Sequence, residues 1–154
     1  MVTVIEERLA ELGIELPPAP QPVASYIPVK VVGDLAWVAA QVPMQDGAVT
    51  VAGSVGADVT TEEANAGARR CAIQALAALG AALGSLDRVK GIVKVDVFVA
   101  SAPGFTEQPT VANGASDLLV EVFGDEGRHA RAAVGVPELP LGAAVEVALL
   151  VQLG

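Results

Sequence analysis

The sequence predicts one α+β domain over residues 1–154, with two main helices on one face of a mixed sheet and a short N-terminal helix. The spacing of apolar residues alternates along the chain between the two-residue period of a strand and the period of a helix. The resulting order is hairpin, helix, strand, helix, hairpin. A chain of 154 residues suits one core. Hydrophobic residues make up 53% of it but aromatics only 3%, so the core must consist of Ala, Val and Leu.

The N-terminal half contains a short helix, a proline-rich segment and a hairpin. Residues 2–12 have an apolar helical face that Gly13 can end. Residues 16–22 contain four prolines and are expected to run extended over the surface. The pattern then predicts a β-hairpin over residues 29–42, with Gly33-Asp34 as its turn, and a short edge strand over residues 49–51. Trp37 is expected in the core.

The C-terminal half is predicted to contain two helices, a strand and a second hairpin. Thr60 and Glu63 form a capping box that begins a helix ending at Gly84, and the helix buries Cys71 as a small apolar residue. Residues 89–99 alternate as a strand buried on one face, and residues 110–123 form the other main helix. The closing hairpin joins residues 129–136 to residues 143–153. The sheet face without helices is expected to be covered by self-association.

Charge and composition exclude several classes of function. A net charge of −9 argues against nucleic-acid binding, which requires Lys and Arg to neutralise phosphates. No apolar run is long enough to span a membrane, and no secretory signal is visible, so we expect a cytoplasmic protein. A single cysteine excludes an intrachain disulfide, and one His with one Cys argues against a metal cluster.

Arg131 and Glu146 are the residues most suggestive of chemistry. Arg131 lies among small apolar neighbours, where an unpaired charge is costly. If the closing hairpin is symmetric, Glu146 lies opposite Arg131 on the same sheet face. The pair is then either a structural salt bridge or a carboxylate-binding Arg beside an acid–base Glu.

Four local patterns resemble the Rid/YjgF family, the reactive-intermediate deaminases formerly labelled L-PSP endoribonucleases. They cover residues 23–153, and residues 1–22 extend beyond the short members, as in a longer, divergent branch. The patterns are Tyr26 with Gly33 and Gln41-Val42-Pro43, Ile92-Val93-Lys94 with Val97-Phe98-Val99, Ala130-Arg131, and Leu139-Pro140 with Val145-Glu146-Val147.

The resemblance implies a chorismate-mutase-like fold and a homotrimer with three clefts between subunits. It implies hydrolysis of enamine and imine intermediates, such as 2-imino acids, to 2-keto acids and ammonia, with no cofactor and no metal. Arg131 would bind the substrate carboxylate, Glu146 would position water, and Tyr26 would line the cleft. Ala40 and Ala133 stand at the remaining substrate-binding positions.

Several positions depart from the family pattern. Ala39-Ala40 replaces the usual Ser-Gly, Ala133 replaces a polar or thiol residue, and His129 replaces a proline. The Asn of the family's second helix has a different spacing from Arg131, so its role is not assigned to Asn113. These departures keep two alternatives open: a non-catalytic trimeric protein that binds carboxylates, and an endoribonuclease, which the acidic charge disfavours.

Overall fold

The computed structural model describes residues 1–22 and 24–154, and its secondary structure follows the predicted order. The described residues form three α-helices: α1 (Val4–Glu11), α2 (Thr61–Leu83) and α3 (Gln108–Phe123). They also form seven strands: β1 (Val29–Val32), β2 (Leu35–Gln41), β3 (Met44–Gln45), β4 (Ala48–Val49), β5 (Val89–Ala100), β6 (Ala130–Val136) and β7 (Val145–Leu153).

Five of these strands form one mixed sheet in the order β1–β2–β7–β5–β6. Neighbouring strands are antiparallel except for β5 and β6, which are parallel. Strands β3 and β4 form a separate two-stranded hairpin, so the predicted edge strand at residues 49–51 lies outside the main sheet. Val95, Val97 and Val99 of β5 are fully buried, and they lie on the sheet face that α2 and α3 cover.

Local chemistry explains where the predicted elements begin and turn. Val32 pairs with Leu35, so Gly33-Asp34 is the two-residue turn of the first hairpin, and Gly33 adopts a φ of 60° that favours glycine. Thr60 and Glu63 make both reciprocal hydrogen bonds of the capping box, at 3.1 Å and 2.8 Å. Both sequence predictions are confirmed.

Small residues allow the two main helices to pack closely. A Cβ added at Gly114 of α3 would collide with the backbone of Asn65 in α2, so glycine is required at this crossing. Helix α1 docks beside them: the backbone N–H of Ile5 donates to Asp87 Oδ1 at 3.0 Å, and Arg8 Nε donates to the Glu121 carbonyl at 2.8 Å. Cys71 is buried in α2, as predicted.

The predicted closing hairpin is wrong. Strands β6 and β7 are not neighbours, because β5 lies between them and pairs with both. The twelve-residue β5 has the longest alternating apolar pattern, and its interior position between β7 and β6 buries the helix-facing side chains Val95, Val97 and Val99 completely. A symmetric pattern around a turn cannot distinguish a hairpin from two strands with another strand inserted between them.

The prediction that Trp37 belongs to the core is also wrong. Ala36 and Val38 face the helices, so the alternation of β2 places Trp37 on the opposite face, where it is 44% exposed. Phe98, Val134 and Leu150 share this face with it, through the pairings of β2, β7, β5 and β6. We call this sheet surface, defined by these four residues, the open face.

Candidate active site

Arg131 lies on the edge strand β6 with part of its guanidinium held by α3. It pairs with Val95, so its side chain is on the helix side of the sheet. Nη1 donates to Asn113 Oδ1 at 2.8 Å and to Ser116 Oγ at 3.1 Å. Neither Nε nor Nη2 bonds to any residue in the described ranges 1–22 and 24–154, and the side chain is exposed. The Nε–Nη2 edge can therefore bind a carboxylate by donating two parallel hydrogen bonds to it.

Ser116 and His129 extend this hydrogen-bonded group. His129 Nδ1 is 2.6 Å from the Gly127 carbonyl, and its Nε2 is 2.8 Å from Ser116 Oγ. Because a carbonyl only accepts, Nδ1 carries a proton, and the Nε2 of a neutral imidazole accepts from the Ser116 hydroxyl. Ser116 Oγ is then free to accept from Arg131. These hydrogen bonds, from the Gly127 carbonyl through His129 and Ser116 to Arg131, fix the orientation of the guanidinium above a shallow cavity of about 260 Å³.

Glu146 lies on the other side of the sheet from Arg131. It is paired with Phe98 between the fully buried Val145 and Val147, whose side chains face the helices, so Glu146 points to the open face. Its carboxylate forms no hydrogen bond or ion pair within residues 1–22 and 24–154, and burial raises its pKa. A half-buried carboxylate without a partner can accept a proton from water.

Tyr26 and Ala40 line a second, larger cavity of about 770 Å³. Ala39 and Ala40 form a β-bulge, since both lie opposite Ala148, and the bulge helps to shape this wall. Residues 15–21, which include most of the proline-rich segment, close another side, and Arg70 and Gln74 of α2 contribute polar groups. Tyr26 is 56% exposed in the single chain.

The predicted site residues do not meet within one chain. Arg131 and Glu146 lie on opposite sheet faces with β5 between their strands, so the predicted shared face is wrong and the two residues form no salt bridge with each other. Ala133 is on the helix side with Arg131, half-buried against the core. Strand β6 is three strands away from β2, about 14 Å at the usual spacing of about 4.8 Å. Arg131 thus forms one half-site, and Tyr26 with Ala40 forms the other in the larger cavity. Glu146 lines neither cavity and lies on the open face.

The sequence did not assign three residues to the Arg131 half-site: Asn113, Ser116 and His129. Two signals were present in the sequence. His129 is two residues before Arg131, a spacing that places both on the same side of a strand. Asn113 and Ser116 are three residues apart in α3, a spacing that places both on one helix face. What the sequence did not contain was the position of that face above β6.

The residues described by the structure include no group of three or more His, Cys, Asp or Glu side chains that could hold a metal ion. Among the same residues, no helix is long and apolar enough to cross a membrane.

Comparison with known proteins gives consistent matches over nearly the whole chain. The family model described as "YjgF/chorismate mutase-like, putative endoribonuclease" matches residues 6–153. Protein TCP17 of Trypanosoma cruzi is 51% identical over 150 residues, covering 97% of this chain and 94% of that protein.

Two solved structures also include the N-terminal segment. The crystal structure of Atu1372 from Agrobacterium tumefaciens has a TM-score of 0.91 and 46% identity, covering 98% of this chain and 93% of that one. A Shewanella oneidensis protein, described as a "putative endoribonuclease", has a TM-score of 0.93 and 34% identity, covering 98% and 100%. The similarity therefore extends beyond residues 23–153, where the sequence patterns lie.

Proposed function

The chain belongs to the YjgF/chorismate-mutase-like family, and from this premise we propose that it hydrolyses 2-imino acids to 2-keto acids and ammonia. The observation that carries the proposal is the free Nε–Nη2 edge of Arg131, beside an Nη1 already held by Asn113 and Ser116. A 2-imino acid carries a carboxylate next to its reactive C=N carbon. A guanidinium fork that grips this carboxylate sets both the position and the rotation of that carbon.

Glu146 is the residue we propose for the water step. Water adds to the C=N carbon, and the Glu146 carboxylate accepts a proton from it as the C–O bond forms. The Glu146 carboxyl returns this proton to the nitrogen, which gives the carbinolamine. Glu146 then takes the proton of the carbinolamine hydroxyl and passes it to the nitrogen, so that the C=O bond forms as the C–N bond breaks and ammonia leaves. The raised pKa of Glu146 suits a group that both accepts and returns a proton.

We propose that the site forms between subunits of a homotrimer. Two features support this assembly. Strand β6, which carries Arg131, is three strand spacings from β2, which carries Ala40, and Glu146 faces the opposite side of the sheet from Arg131, so a neighbouring subunit is needed to bring Arg131 close to these residues. The open face also leaves Trp37 44% and Val134 45% exposed, which association would bury.

The direct test is the decay of 2-iminobutanoate generated in the presence of the protein. We expect the protein to accelerate loss of the imine and release of ammonia in proportion to its concentration, without an added cofactor. If wild-type protein does not change the decay rate, hydrolysis of this substrate class is wrong. Binding of 2-keto acids without turnover would instead favour the carboxylate-binding protein.

An endoribonuclease is the second candidate, and the description of the family is what favours it. The net charge of −9 opposes RNA binding. Incubation with single-stranded RNA would decide the point: dose-dependent cleavage that is lost in an Arg131→Ala variant would replace the deaminase proposal.

A further inference from the structure

Arg70 is a cation of the larger cavity that the proposed reaction does not use. It is half-buried in α2, and its Nε donates to the Met44 carbonyl at 2.9 Å. Within residues 1–22 and 24–154 neither Nη1 nor Nη2 makes a hydrogen bond, and no carboxylate lies within ion-pair distance of the guanidinium. The two terminal nitrogens of this half-buried guanidinium are therefore available to donate to an anion.

The surroundings hold Arg70 in place. Gln74, one helical turn further along α2, accepts from the Met44 backbone N–H at 2.7 Å and donates to the Val42 carbonyl at 2.8 Å. Gln74 is 7% exposed, so its two hydrogen bonds to the backbone of residues 42–44 are buried. Met44 is thus bonded by α2 through both its N–H and its carbonyl. The guanidinium of Arg70 is anchored at Nε, which leaves its terminal nitrogens for a ligand.

The rest of the cavity is suited to the body of an organic molecule. Leu16, Pro17, Pro18 and Pro20 contribute an apolar wall, and prolines hold that wall stiff because their φ is fixed. Glu15 and Asp46 also line the cavity, but both are exposed to solvent, whereas Arg70 is half-buried. The interior therefore presents one cation beside apolar surface.

We propose that Arg70 binds a second, distal carboxylate of the substrate, so that the preferred substrates are dicarboxylic 2-imino acids. This inference rests on the proposed function, in which the first carboxylate binds Arg131 of a neighbouring subunit. Tyr26 and Ala40 line the same cavity as Arg70, so a molecule held at that half-site extends towards Arg70. The N-terminal segment is then a specificity wall, because residues 15–21 close the space in which the distal group lies.

The test measures binding of two product-like acids, 2-oxobutanoate with one carboxylate and 2-oxoglutarate with two, by calorimetry on the full-length protein. Wild type should prefer 2-oxoglutarate. Arg70→Gln, which can still donate to the Met44 carbonyl, should weaken the binding of 2-oxoglutarate about tenfold or more and leave the affinity for 2-oxobutanoate unchanged. Arg70→Lys should keep part of the preference because it keeps the charge.

Arg69→Gln is the matched control, because Arg69 is the neighbouring arginine and its Nη1 is paired with Glu121 at 3.2 Å. It should leave both affinities unchanged. Equal binding of the two acids by wild type, or equal losses in Arg69→Gln and Arg70→Gln, would overturn the role of Arg70. Arg131→Lys separates the two proposals, because it should weaken the binding of both acids. If it weakens the binding of neither acid, the proposed Arg131 site is wrong, whatever the result for Arg70.

Discussion

Replacing Arg131 gives the most informative test of the proposed site. Nη1 is occupied by Asn113 and Ser116, so the substrate carboxylate would use the two remaining donors, Nε and Nη2. Hydrogen bonds to charged groups contribute about 1.5–3 kcal/mol each and are not additive, so the fork is worth about 2–4 kcal/mol. At about 1.4 kcal/mol per factor of ten, Arg131→Ala should slow imine hydrolysis by about 30-fold to about 700-fold. Arg131→Lys keeps the charge without the fork and should lose about tenfold.

The measurement is kcat/KM for 2-iminobutanoate decay, with circular dichroism and light scattering to establish that each variant is folded and assembled. Arg88→Ala is the control, since Arg88 is an exposed arginine outside both half-sites and its loss removes the same charge. Asn113→Ala removes one of the two hydrogen bonds of Nη1 and should slow imine hydrolysis less than Arg131→Ala, because the Nε–Nη2 edge remains but the guanidinium is held less firmly. If Arg131→Ala hydrolyses the imine as fast as wild type, the Arg131 half-site is not where the substrate binds.

Three further outcomes are expected. Light scattering should give about three times 15.5 kDa, and Trp37→Glu on the open face should reduce it to the monomer mass; a wild-type monomer at micromolar concentration would contradict the intersubunit site. Glu146→Gln should lose turnover. Because burial raises the pKa of the Glu146 carboxyl in the folded state, the folded wild type loses stability as pH rises through that pKa. The variant should therefore be more stable than wild type at pH 7, but not below the pKa of this carboxyl in the unfolded chain. Equal losses of stability and activity would indicate a structural role. Gly114→Ala should lower the free energy of unfolding by about 1–3 kcal/mol, because its Cβ meets the α2 backbone, and an unchanged melting temperature would contradict this packing.

Local patterns were sufficient to predict most elements from the sequence. The capping box at Thr60 and Glu63 and the Gly33-Asp34 turn each depend on a few adjacent residues, so their chemistry is complete in the sequence. The same holds for the alternation of β5 and the helical period of α2. The α+β class follows from these elements, because two apolar helices and a one-face-buried sheet must bury their apolar surfaces together.

Contacts between distant segments were decided only by the tertiary structure. The pattern around residues 137–142 is compatible with a hairpin, yet β5 lies between β6 and β7 and puts Arg131 and Glu146 on opposite faces. Glycine lowers helix propensity, yet Gly114 lies within α3, where it allows the close crossing with α2, and Asn113 bonds to Arg131. Arg70 lies on α2 but lines the larger cavity, because the N-terminal segment supplies the facing wall. Side-chain alternation determines which residues share a face of their own strand, whereas strand order and helix placement depend on burial summed over the whole core.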